Sequence, residues 1–123
     1  TAVGELYDKI TILNIKLKKI NDPNKLKNIK IELDALVEQS NKLILKDDEI
    51  LRKNIQKLQD INEELWDIEN AKRECEANKE FGEIFIKISR DVHFKNDIRA
   101  SIKKEINLLS NSKITEEKEY SKY

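Results

Sequence analysis

With 123 residues, 39% of them charged and only 2 Gly and 1 Pro, the chain suits one domain and has too few turn residues for an all-β fold. Basic and acidic residues balance at 24 each, so no global field draws the protein to nucleic acid or an anionic membrane. The single cysteine excludes an internal disulfide, and no apolar run approaches the ~20 residues that cross a bilayer.

The first residues, Thr1-Ala2-Val3-Gly4-Glu5, lead straight into helical periodicity with no signal-peptide pattern. A soluble, cytoplasmic protein is the expectation. Helix one is predicted over 3–20, where Val3, Leu6, Ile10, Leu13, Leu17 and Ile20 recur at spacings of three and four. It stops at Asn21-Asp22-Pro23, with Asp22 placed to cap and Pro23 to open the next helix. Helix two, 23–45, carries Leu26, Ile29, Leu33, Leu36 and Leu43 with Ser40 as a polar interruption. Asp47 or Asp48 caps helix three, and Glu49 suits its first turn.

Helix three, 48–78, holds Leu51, Ile55, Leu58, Ile61, Leu65 and Ile68 on one stripe, which weakens through Lys72 to Cys75. The pattern resets at Asn78-Lys79-Glu80-Phe81-Gly82, which predicts a turn. Helix four, 81–110, carries Phe85, Ile88, Val92, Ile98, Ile102, Ile106 and Leu109, with Ser110-Asn111-Ser112 expected to end it before a tail over 111–123. The fold class is therefore all-α: an antiparallel bundle of about four helices in one domain, with a long hairpin of helices three and four and a C-terminal tail. That hairpin outruns the first two helices, and Phe81, Phe85 and Phe94 all fall in its far end. Uncovered aromatic surface of this kind predicts self-association, a dimer first, or docking on another protein.

Assembled chemical motifs are missing from the sequence. A di-iron bundle needs Glu-x-x-His on two helices, and His93 is the one histidine, with Arg90 three positions before it. Glu64 and Asp67, one turn apart, make half of a Mg²⁺ site of the kind that hydrolyses nucleoside triphosphates, but the partner pair is replaced by Glu32 with Ala35 and Glu38 with Asn41. Cys75 and His93 lack a nucleophile context, and Gly4 and Gly82 cannot form a phosphate-cradling loop. No metal, no cofactor, no nucleic acid and no membrane partner is expected, and the catalytic residues, if any, are unknown.

Three polar stripes remain. Asn96, Arg99, Lys103 and Asn107 follow at steps of three and four on helix four, and Asn62, Trp66, Glu69 and Arg73 do so on helix three. Glu5, Lys9, Ile12 and Lys16 form a third stripe on helix one. Converged, they make a groove with a Trp wall, in which Arg99, Lys103, Arg73 and Lys9 hold a small anion such as a phosphate or carboxylate. Glu5 or Glu69 is then available for proton transfer. Unconverged, they are solvent faces and inter-helix salt bridges.

The segment from Val3 to Leu13 with Ile15-Lys16, then Asn62-Glu63-Glu64-Leu65-Trp66-Asp67-Ile68-Glu69, then Asn96-Asp97-Ile98-Arg99-Ala100 with Lys103, Ile106 and Asn107, and last Glu116-Glu117-Lys118-Glu119-Tyr120 with Tyr123, resemble in order a family of small uncharacterised bacterial and phage-borne proteins. The resemblance spans nearly the whole chain and includes the three stripes. It implies that the last segment packs back on the bundle through Tyr120. Some members of that family stand beside or are joined to sugar-transferring and repeat proteins, which implies a surface-polysaccharide context. A non-enzymatic self-associating or protein-interaction module is the first expectation, and a protein binding a small anion in the groove is the second.

Overall fold

The computed structural model describes residues 2–43 and 48–122, with side chains described as far as Ser110. Among these residues are four helices: α1 Val3–Lys19, α2 Pro23–Asn41, α3 Glu49–Ala77 and α4 Glu83–Lys122. Each start and stop has a local cause. The Asp22 side chain accepts a hydrogen bond from the Asn24 amide at 3.0 Å, and Pro23 opens α2 with its fixed φ. The Asp48 side chain accepts from the Ile50 amide at 2.9 Å and starts α3. Asp47 lies outside the described residues.

After α3 the chain turns through Lys79, whose φ of 54° is left-handed. The Glu80 amide reaches back to the Cys75 carbonyl at 2.8 Å, the closing bond of a Schellman-type stop. The turn expected around 78–82 is there, and α3 and α4 form the long hairpin. α4 differs from its expected length. It continues without a break through Ser110-Asn111-Ser112 to Lys122, because neither Gly nor Pro stands there to stop it. The expected anchoring of Tyr120 lies outside the described side chains.

α1 is the element around which the others are arranged. It packs on α2, α3 and α4, whereas among the described residues α2 packs on α1 alone. The core accordingly splits in two. Leu6, Ile10 and Leu13 meet Ile29 and Leu33 of α2. Val3 meets Leu51, Leu58, Ile61 and Leu65 of α3 with Ile106 of α4. Tyr7 and Leu43 touch both clusters. The desolvation of the Tyr7 phenol raises its pKa, opposed by a hydrogen bond with Ser40.

Being sandwiched, α1 is buried on two faces. One is the apolar stripe that the sequence shows, and the other is Gly4, Asp8, Thr11 and Ile15, also at steps of four and three. α1 spans about 25 Å and α3 about 43 Å at 1.5 Å per residue. The end of α1 stands level with Asp67, which lies 3.9 Å from Lys19. Past that point α3 and α4 pack on each other without α1.

Candidate functional site

The second face of α1 carries the site. Asp8 is 3% exposed, and an isolated carboxylate there would be costly. It is fully engaged. The Arg99 guanidinium donates Nε to Asp8 Oδ1 at 2.9 Å and Nη2 to Asp8 Oδ2, a bidentate fork. The Asn62 amide donates to Asp8 Oδ1 at 3.0 Å and to Thr11 Oγ1 at 2.9 Å. Thr11 in turn donates to the Asp8 carbonyl at 2.9 Å. Lys103 pairs with Glu5 and stands 3.6 Å from Asp8 Oδ2. Three helices are thereby joined through one carboxylate.

Burial by itself would raise the Asp8 pKa. The hydrogen bonds from Arg99 and Asn62, with the charges of Arg99 and Lys103, outweigh it and hold the carboxyl below the ordinary Asp value. The same contact raises Arg99, whose hydrogen bond to Asp8 outweighs its own burial. The sign follows. A carboxyl depressed on folding contributes stability that is complete above the unfolded Asp value of about 3.9 and lost as pH falls through the lower folded value.

Four residues past Lys103 on α4, Asn107 Oδ1 accepts from the Gly4 amide at 2.7 Å. A Cβ on Gly4 would lie 2.5 Å from the Lys103 carbonyl oxygen and 2.9 Å from Asn107 Oδ1. Gly4 is therefore where α1 meets both the backbone and a side chain of α4.

On the other side of the network lies a cavity of about 230 Å³. Its floor is Ile12 and Ile15 of α1 with Leu65 and Trp66 of α3. Its polar wall is Asn62, Glu69, Asn70 and Arg73 of α3 with Asn96 and Arg99 of α4. Seven of the twelve residues on the three stripes thus meet in one: Asn62, Trp66, Glu69, Arg73, Asn96, Arg99 and Ile12. The other five do not line it. Glu5 and Lys103 pair beside Asp8, Asn107 holds Gly4, Lys9 is exposed and Lys16 stands on α1 outside the lining.

Asp8, Thr11 and Asn70 were not among the expected residues. Asp8 and Thr11 were discoverable as the second periodic stripe of a helix that neighbours must bury on both sides. Of the half Mg²⁺ site, Glu64 pairs with Lys95 at 3.2 Å and Asp67 lies near Lys19. His93 is exposed beside Asp97 at 3.8 Å. Among the described residues, no three His, Cys, Asp or Glu gather as metal ligands, and no helix is long and apolar enough to cross a membrane. At the hairpin end Phe81 is 53% and Phe94 52% exposed. Phe85 is half-buried and packs edge-on against Phe81, with ring centres 5.4 Å apart.

Fold and site together define an all-helical protein with one central ion-pair network and an adjoining Trp-walled cavity. The chain matches the model of a family of unknown function (DUF6165) over residues 1–123, and it belongs to that family. No curated protein and no solved structure matches it.

The close contact at Gly4 gives a direct prediction. Helix propensity alone favours Ala over Gly by about 1 kcal/mol, but the backbone oxygen opposite Gly4 cannot swing aside as a side chain can. Gly4→Ala is expected to lower stability by about 1–3 kcal/mol in urea unfolding. Gly82→Ala, which meets nothing within 4 Å, is expected to stay within about 0.5 kcal/mol of the parent.

Proposed function

We propose that this protein is a non-catalytic binding module whose cavity between α1, α3 and α4 holds a small polar ligand with an anionic group. The observation that carries this reading is the convergence of the α3 and α4 stripes on one cavity beside Trp66. An apolar floor with a few fixed polar groups is the usual make-up of a small-ligand site. The anion-binding role narrows to Arg73. Arg99 and Lys103 are already neutralised by Asp8 and Glu5, and Lys9 stands elsewhere. Asp8 is held ionised in its ion pairs, which favours a part in holding the fold over proton transfer.

Trp66 is the chain's single tryptophan, so its emission reports on the cavity alone. Titration with carboxylates, amino acids, monosaccharides, sugar phosphates and nucleotides is expected to give one class that shifts Trp66 emission saturably. The same class should stabilise the fold by about 2.7 kcal/mol at 100 times its Kd. Silence of every class at millimolar concentration, in both emission and melting temperature, would contradict the reading.

A second reading rests on the hairpin end, where Phe81, Ile84, Ile86 and Phe94 are each more than half exposed. Its occupant is a second copy of the chain, since balanced charge sets up little repulsion between copies. Light scattering at high concentration is expected to show a dimer that Phe94→Glu dissociates. A strict monomer rules this surface out as a self-association site.

A further inference from the structure

We infer that the ligand of this cavity is a small zwitterion, an α-amino acid with an apolar or aromatic side chain; this rests on the binding reading above. The charges around the cavity decide its chemistry. Arg99 is matched by Asp8, Lys103 by Glu5 and Lys95 by Glu64. Two charged side chains of the wall take part in no ion pair among the described residues: Glu69 and Arg73. They stand four residues apart on α3, on one helix face, with Cβ atoms about 5–6 Å from each other.

A ligand carrying only negative charge meets Arg73 but also Glu69, so half of the interaction is repulsive. A purely cationic ligand has the reverse difficulty. A ligand with both charges close together satisfies both side chains: its carboxylate accepts from the Arg73 guanidinium and its ammonium donates to the Glu69 carboxylate. The Asn70 and Asn96 carboxamides stand on the same wall, each able both to donate and to accept.

The floor then asks for an apolar body. Ile12, Ile15, Leu65 and the Trp66 ring offer no charge, and their desolvation by an aliphatic or aromatic group is favourable at roughly 25 cal/mol per Å². Size agrees. A cavity of about 230 Å³ corresponds to roughly seven or eight water volumes at about 30 Å³ each, enough for a leucine or phenylalanine molecule.

The test is a Trp66 fluorescence titration of the full chain, checked by melting temperature. The probes are leucine, phenylalanine, leucinamide, N-acetylleucine, glucose, glucose 6-phosphate and inorganic phosphate. Leucine and phenylalanine are expected to bind saturably. Leucinamide lacks the carboxylate and N-acetylleucine lacks the ammonium. Each should bind about tenfold or more weakly, the loss of one charge-assisted contact. Arg73→Gln and Glu69→Gln, whose side chains make no ion pair among the described residues, should each weaken leucine by a similar factor while leaving the melting temperature of the free protein unchanged. Equal binding of leucine and its two derivatives overturns the zwitterion. Binding of glucose 6-phosphate or phosphate without leucine or phenylalanine also overturns it, yet leaves the anion-binding module standing, whereas binding of glucose alone overturns both. If no probe registers by either readout, the module reading falls with it.

Discussion

The arrangement of the helices depends on one buried carboxylate. Asp8 is the point where α1 meets both halves of the long hairpin, through Asn62 of α3 and Arg99 and Lys103 of α4. Its worth differs from that of the chain's many other ion pairs. Lys18–Glu63 and Lys53–Glu49 are largely solvated, and such pairs contribute between nothing and about 1 kcal/mol. Asp8 cannot return to water while the fold is intact, so removing either partner strands a charge, which costs several kcal/mol. An apolar trio could pack as well. What the ion pair adds is a register: a fork and a carboxylate fit in one alignment of α1 along α4, whereas leucines slide.

That register is what builds the cavity. With Asp8 opposite Arg99, Ile12 and Ile15 fall one and two turns later, over Leu65 and Trp66. The end of α1 then stands beside Asp67, leaving the rest of the hairpin, with its half-exposed phenylalanines, free of the first two helices. The network also spends the cations nearest the cavity on internal partners. The remaining opposed pair, Glu69 and Arg73, is thus a consequence of how α1 docks.

Much of the fold was legible in the sequence because helices announce themselves by spacing and punctuation. The 3-4 stripes, the Asp22-Pro23 start and the reset near Gly82 all correspond to observed features. The site was half legible. Stripes such as Asn62-Trp66-Glu69-Arg73 mark one helix face, and that face does line the cavity. Asp8 and Thr11 are not legible from spacing because an apolar stripe marks one buried face, and α1 has two. Arg99 and Lys103 turn to acidic partners on α1, Arg99 while also lining the cavity, and Ile98 of the expected apolar stripe is 49% exposed. One residue is a rotation of 100°, and periodicity alone does not fix the phase of a 40-residue helix with charges on every side. The stop expected at Ser110-Asn111-Ser112 rested on weak breakers, and the helix overrode them.

The most direct test of the Asp8 register is a double-mutant cycle of Asp8→Asn and Arg99→Gln by urea unfolding, run at pH 7 and again well below the ordinary Asp pKa. The expected result is a coupling of about 2 kcal/mol at pH 7, since each single change leaves the other group without its partner, Asp8 buried and Arg99 partly so. It should fade in acid, as the wild-type carboxyl takes up a proton and comes to resemble the amide. Additive losses at pH 7, or a coupling indifferent to pH, would show that α1 is held by its apolar contacts and that the Asp8–Arg99 pair does not set the arrangement.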